Sequence, residues 1–336
     1  MVSVPSEGPM KALVTGATGF TGRVLAGRLA QDGAQVRVLV RDAARWRPES
    51  DRPAIEVVEG DICDQQAVAA AMRGIETVFH LAALYRVAGV PAQAYWDVHV
   101  TGTANLLEAA QATGVGRFVH CSTVGVHGHV DQPPADETYR VAPADEYQRS
   151  KLEGERLALR CYRETGFPVA VIRPTAIYGP GDTRLLKLFR LASMRPRVIL
   201  GSGGIYYHMV HVDDLVDGFL LAAEADAAVG EVFIVGGEEV LTLNQLLDRI
   251  AATLGSSGPT LHLPARPVQL LGSLCEAACR PFGLTPPLYR RRVDFFTKSR
   301  AFCIDKAKRV LGYRPKVALQ EGLAGTAASY RALGLM

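Results

Sequence analysis

The chain has 336 residues, 48% of them hydrophobic and 21% charged, with a formal net charge of +3. That length suits one large α/β unit plus a smaller appended region, and the balance allows a full-sized buried core. With Arg290-Arg291-Arg292 as the only local basic run, the charge leaves no footprint for nucleic acid, which is not expected as a partner.

Cys63, Cys121, Cys161, Cys275, Cys279 and Cys303 stand without CxxC pairs or histidines at metal-ligand spacing. They read as reduced, packed thiols of a cytoplasmic protein, with no disulfide framework and no metal site. The first ten residues lack the basic start and apolar core of a signal peptide and read as a loose leader. No apolar run approaches the ~20 residues that span a bilayer, so no integral membrane segment is expected.

From Lys11 onward, short apolar runs (KALVT, QVRVLV, IEVVE, ETVFH, RFVHC, PVAVI) alternate with helical patterns at 23–31, 65–72, 103–113 and 148–164. Such alternation predicts βα units and a parallel sheet covered on both faces. RFVHC and PVAVI are nearly all apolar, as strands buried on both faces should be. After Pro174 the rhythm breaks. Gly179-Pro180-Gly181 and Gly201–Gly204 form turn clusters with a helix expected between them. HMVHV, a helix over 213–224 and EVFIV then make a further βαβ-like stretch. The rest reads as mainly helical, cut into short pieces by Pro264, Pro267, Pro281, Pro286 and Pro287.

Between the first strand and the first helix lies TGATGFTG, with Gly16, Gly19 and Gly22. A diphosphate needs backbone N–H groups aimed at it with no Cβ in the way, and a helix N-terminus supplies both the donors and the dipole. The spacing predicts a dinucleotide-binding turn.

A second pattern is Tyr147-Gln148-Arg149-Ser150-Lys151. Residues four apart share one helix face, so a phenol and an ammonium meet at one site. A free phenol, with a pKa near ~10, is a poor acid or base at neutral pH. A neighbouring ammonium and an oxidised nicotinamide favour the phenolate, so Tyr147 can exchange a proton with an alcohol or ketone.

GxxGxxG, HCSTVGVHG about 25 residues before the Tyr–Lys pair, and RPTAIYGP together resemble the extended short-chain dehydrogenase/reductases. That superfamily includes sugar-nucleotide epimerases, dehydratases and 3β-hydroxysteroid dehydrogenase-like enzymes, and the resemblance covers nearly the whole chain. It implies an α/β fold: a Rossmann-type doubly wound parallel sheet with a smaller, mainly helical C-terminal substrate region. Residues 10–178 are expected to form the nucleotide-binding domain, with 208–237 returning to it. Residues 179–207 and 238–336 are expected to form the substrate-binding or lid region.

The resemblance implies that Gly16, Thr18, Gly19, Phe20 and Gly22 cradle the diphosphate. Asp61 and Ile62 follow the third strand at the adenine position, where Asp61 has the alternative of capping the next helix. Leu81, Ala82 and Ala83 pass beneath the cofactor beside His80, Tyr147 and Lys151 also contact it, Lys151 at the nicotinamide ribose, and Pro174 and Thr175 meet the nicotinamide amide. NAD-specific members carry Asp where this chain has Val40, followed here by Arg41. Without that carboxylate nothing repels a 2′-phosphate, and Arg41 can pair with it. NADP is therefore the expected cofactor, with NAD possible through Asp42.

Aligning Gly128 places Thr123 at the family's catalytic hydroxyl; a one-residue slip would put Ser122 there instead. The family usually has NVxGT with a supporting Asn, and His99 replaces it, where a neutral imidazole can make a similar hydrogen bond. Asp214 of HVDDL is expected to cap the following helix.

Rhamnose-pathway-like dehydratases carry Asp-Glu after the catalytic hydroxyl, whereas this chain has Val124 and Gly125, which speaks against dehydration. Epimerases usually grip the substrate diphosphate with an Arg where this chain has Tyr207, although Arg290–Arg292 offer a substitute. The C-terminal stretch from LHLPARPVQLLGS through DKAKRVLGY resembles the lid of the 3β-hydroxysteroid dehydrogenase-like branch. Leu270, Leu271, Leu274, Ala277 and Ala278 there form an apolar stripe at helical spacing, fit for core packing, for walling an apolar pocket or for resting on a membrane surface.

The reading is a dehydrogenase or reductase on a small apolar or mixed substrate, steroid-, terpenoid- or acyl-ketone-like. Its alternatives are a nucleotide-sugar epimerase and an NADP-sensing regulator. Relatives often dimerise through two helices of the nucleotide domain, and the Ala-rich stretches 104–112 and 152–160 suit a homodimer.

Overall fold

The computed structural model describes residues 8–46, 55–85, 89–279 and 295–336. The chain runs β1 (Lys11–Thr15), α1 (Phe20–Gln31), β2 (Gln35–Val40), β3 (Glu56–Glu59), α2 (Gln65–Met72) and β4 (Thr77–His80). Next come α3 (Ala92–Trp96), a π-helical turn (Asp97–Thr101), α4 (Gly102–Ala112), β5 (Arg117–Cys121), α5 (Glu146–Thr165) and β6 (Val169–Pro174). The remaining labelled elements begin with β7 (Ala176–Tyr178), α6 (Leu186–Ser193), β8 (Arg197–Leu200), β9 (Tyr206–His211) and α7 (Val212–Glu224). They end with β10 (Val232–Val235), β11 (Val240–Thr242), α8 (Leu243–Thr253), β12 (Thr260–Leu263) and α9 (Ala265–Cys279).

Seven strands form one sheet in the order β10-β6-β5-β4-β1-β2-β3, every neighbouring pair parallel. This is the Rossmann-type sheet read from the sequence. Adjacent strand residues serve opposite faces, as a two-residue period requires. Val14 packs with Leu25 and Leu29 of α1 and Phe219 of α7, while Leu13 packs with Met72 of α2, Leu106 of α4 and Ala158 of α5. Burial on both faces explains why the central strands are apolar. The strand order reverses between β1 and β4, and the crevice at the carboxyl ends of these strands is where such sheets bind ligands.

Helix α1 starts at Phe20, earlier than its apolar periodicity, because the glycine turn feeds straight into it. Helix α5 starts at Glu146, with the Asp145 carboxylate accepting from the Gln148 N–H. The region after Pro174 holds more strand than expected. β11-β9-β7 form a three-stranded sheet and β12 pairs with β8. Strands of three and four residues are too short for a period to register. Their core joins Phe189, Leu246 and Ile250 with Leu323 and Tyr330 of the C-terminal helix Leu319–Ala332.

Asp214 does not cap α7. His211 does, through Nδ1 to the Asp213 N–H, and Asp214 instead accepts from the backbone of Lys316 and Val317. A buried carboxylate on the inward face of the helix reaches the returning C-terminal strap rather than its own N-terminus. Leu270, Leu271 and Leu274 of the apolar stripe are exposed on α9. The side chains of Ala277 and Ala278, and Arg290–Arg292, lie outside the described residues. No described helix is long and apolar enough to cross a membrane.

Candidate active site

The glycine turn closes tightly at the end of β1. Gly16 has φ +73°, and a Cβ on it would sit 2.6 Å from the Ala82 nitrogen; one on Gly22 would sit 2.3 Å from the Gly16 carbonyl oxygen. Three backbone segments therefore meet where no side chain fits. Gly19 is the N-cap of α1 without any side-chain cap, and no acidic residue occupies the first turn. The helix thus presents bare N–H groups and the positive end of its dipole to the crevice, the donor set a diphosphate requires.

Beneath this turn runs a buried hydrogen-bond chain. Thr103 Oγ1 donates to the His99 carbonyl (2.7 Å) and so accepts from His80 Nε2 (2.9 Å). His80 Nδ1 then accepts from Thr15 Oγ1 (2.8 Å), which accepts from the Ala82 N–H (3.3 Å). Burial holds His80 neutral, its pKa pushed down to about 3. The chain fixes the Leu81–Ala83 segment against β1.

His99 lies one layer further out. Its Nε2 accepts from the Leu84 N–H at 3.1 Å, which leaves Nδ1 to donate to Ser150 Oγ at 2.8 Å. Ser150 in turn donates to the Glu146 carbonyl at 2.8 Å within α5. Burial, aided by Lys151, pushes the imidazole down to about 2. The neutral ring thus makes the supporting hydrogen bonds expected of it, and it also packs edge-on against Tyr147, 5.5 Å between centroids. Tyr85 makes a similar contact with Tyr147 at 5.2 Å, so the phenol ring has a definite seat.

Lys151 is 2% exposed, and its Nζ donates to the Cys121 carbonyl. Burial lowers its pKa, opposed by charge interactions with Cys121 and Glu155. At the end of β5 the two candidate hydroxyls separate. Ser122, 2% exposed, donates to Glu155 Oε2 at 2.6 Å, whereas Thr123 is half-buried and accepts from the Gly125 N–H at 3.0 Å.

A single cleft of about 410 Å³ is lined by Gly16, Gly19, Phe20, Gly22, Leu81, Ala83, Ser122, Thr123, Tyr147, Pro174 and Thr175. Other expected residues stand around it. Lys151 and Ala82 lie behind its wall, while Thr18 and Arg41 are exposed. Asp61 accepts from the Cys63 N–H (2.9 Å), and the helix cap is Asp64 instead. Ile62 is buried, its side chain directly against Gly102.

Beside the cleft opens an apolar pocket of about 540 Å³, lined by Leu185, Leu188, Leu191, Phe295 and Phe296, with Arg184 and Lys187 at its edge. Arg184, Leu185 and Phe295 line both cavities. The Arg184 guanidinium stacks between Phe20 and Tyr85, 5.3 and 5.7 Å from their centroids, and ion-pairs with buried Asp182. Tyr207 also lines the cleft, its hydroxyl donating to the Phe295 carbonyl. Sequence reading missed Glu155, Arg184 and Tyr85. Only Glu155 left a trace, as the next i,i+4 neighbour after Lys151.

Known proteins resemble this chain over most of its length. The model of the NAD dependent epimerase/dehydratase family matches residues 12–236. A 3-beta-hydroxysteroid dehydrogenase of Mycolicibacterium neoaurum is 31% identical over 94% of this chain and 89% of that protein. A 2-alkyl-3-oxoalkanoate reductase of Stenotrophomonas maltophilia is 29% identical over 95% of this chain and 99% of that one. Among solved structures, a UDP-glucose 4-epimerase of Thermotoga maritima superposes with a TM-score of 0.77 at 27% identity, covering 96% of this chain and 99% of that one. The parallel sheet, the bare helix terminus at its switch point and these matches lead to one conclusion: the chain is an enzyme of the NAD dependent epimerase/dehydratase family, within the extended short-chain dehydrogenase/reductases.

Proposed function

We propose that this protein is an NADP-preferring oxidoreductase that transfers a hydride between the nicotinamide and a secondary alcohol or ketone of an apolar or mixed substrate. The observation that carries the reading is the common cleft: Tyr147, Thr123 and the bare start of α1 face one cavity that opens sideways into an apolar pocket. The names of the hydroxysteroid and oxoalkanoate relatives support the same substrate class.

Gly16, Gly19 and Gly22 would hold the diphosphate, and Leu81, Ala83, Pro174 and Thr175 would flank the nicotinamide. When bound, the nicotinamide accepts or delivers the hydride. Tyr147 takes the alcohol proton during oxidation and returns it during reduction. The Lys151 ammonium favours the phenolate, and Thr123 orients the substrate oxygen; Ser122 is committed to Glu155. Leu185, Leu188 and Phe295 bury the apolar body of the substrate, so residues 179–207 and 238–336 serve as its side of the enzyme. Asp42 turns its carboxylate onto the Ala44 N–H (2.9 Å), leaving exposed Arg41 to meet a 2′-phosphate. The enzyme works as a homodimer.

Titration with NADPH and NADH, followed by absorbance assays on sterol alcohols, long-chain ketones and nucleotide sugars, tests the proposal. Turnover of an apolar substrate is expected. Tyr147→Phe should keep its nucleotide affinity while kcat falls by about 10²–10⁴. Interconversion of a nucleotide sugar without net absorbance change overturns it, as does absence of nucleotide binding.

A further inference from the structure

Behind the cleft, between α5, β5 and β6, lies a buried charged network that the reaction outlined above does not use. Glu155 and Arg173 are 2% and 5% exposed. Glu155 Oε2 accepts from Arg173 Nε at 3.0 Å and from Ser122 Oγ at 2.6 Å, and Oε1 accepts from Arg173 Nη2 at 2.5 Å. Arg173 Nη1 also reaches His127 Nε2 (3.0 Å) and the Glu137 carbonyl (3.2 Å).

A buried ion pair is weak evidence for stability, because apolar residues of similar volume often serve as well. Its location is more informative. Glu155 follows Lys151 by four residues on one helix face, and Ser122 sits between Cys121, whose carbonyl holds Lys151, and Thr123. One carboxylate therefore joins the helix bearing Tyr147 and Lys151 to the strand end bearing Thr123.

We propose that Glu155 is a positioning residue of this site, fixing the Thr123 strand end against α5 and supplying the negative charge that faces the Lys151 ammonium. The inference rests on the oxidoreductase reading above. The groups around Lys151 are His80 from β4, His99 from the π-helical turn, His120 and Cys121 from β5, Tyr147 and Glu155 from its own helix, and Arg173 from β6 behind Glu155. Burial keeps the three histidines neutral and Cys121 a thiol. Cys121 and Glu155 both favour the ammonium, and of the two Glu155, ion-paired with Arg173, is the carboxylate. Removing that charge also leaves the Arg173 cation unpaired close by. Both changes make Lys151 lose its proton at lower pH.

The test compares Glu155→Gln and Glu155→Asp with the wild-type full-length chain. NADPH affinity is measured by calorimetry from pH 7 to 10.5, beside kcat/KM–pH profiles and thermal melts. Both variants should lower Tm. Only Glu155→Gln should move the alkaline midpoint of NADPH binding and of kcat/KM downward, by about one pH unit or more. Glu155→Asp, which keeps the charge, should retain the wild-type midpoint. A Glu155→Gln midpoint equal to wild type overturns the inference, as do equal shifts in both variants. A wild-type protein that binds no nucleotide defeats the oxidoreductase reading as well.

Discussion

Replacing Gly22 with alanine tests the phosphate-binding turn most directly. The new methyl would lie 2.3 Å from the Gly16 oxygen and 2.7 Å from its carbonyl carbon. A relaxed C···O contact needs roughly 3.3 Å, so turn and helix must part by about 1 Å. Gly16 cannot yield toward the sheet, because it already abuts the Leu81–Ala82 backbone. A forced backbone shift of this kind costs about 1–3 kcal/mol, and it moves the diphosphate donors out of register. NADPH and NADH dissociation constants should both rise about 10- to 100-fold, equivalent to about 1.4–2.8 kcal/mol. Calorimetry at pH 7.5 measures this, with far-ultraviolet circular dichroism melts to follow folding. Gly116→Ala is the matched control, since its methyl would meet only the Glu76 carbonyl at an ordinary 3.6 Å. Wild-type nucleotide affinity in Gly22→Ala would refute the reasoning.

Cofactor choice should respond to Arg41→Ala, which is expected to weaken NADPH binding about tenfold and leave NADH binding unchanged; equal losses for both nucleotides would show that Arg41 does not read the 2′-phosphate. Stability should depend on pH through the buried histidines. His80 and His99 stay neutral in the fold down to about 3 and 2, against 6.5 when free, so their contribution is complete above pH 6.5 and is lost as pH falls below it. Between pH 6.5 and 5 each should subtract about 2 kcal/mol, read from urea midpoints. His99→Asn should flatten that fall by one histidine's share while preserving acceptance from the Leu84 N–H; an unchanged slope would count against the argument.

Much of this site was legible in the sequence because its parts are local. The glycine turn, the i,i+4 Tyr147–Lys151 pair and the strand-end Ser122-Thr123 each need only a few consecutive residues to announce their geometry. The pockets and the network behind them were not legible in the same way. Glu155 and Arg173 are 18 residues apart and meet only because α5 lies along β6, and Arg184 reaches Tyr85 and Phe20 from separate parts of the chain.

Periodicity and turn chemistry alone were enough to specify alternating strands and helices, a parallel sheet and a nucleotide-binding start, since a two-residue or 3.6-residue repeat is a local consequence of which faces are buried. Tertiary packing decided which of two adjacent hydroxyls turns away toward Glu155, that His99 props both Leu84 and α5, and that Asp214 holds the C-terminal strap instead of its own helix. Each of those outcomes depends on a partner distant in sequence. Short polar side chains have several local uses, and only the group that folding brings within about 3 Å selects among them.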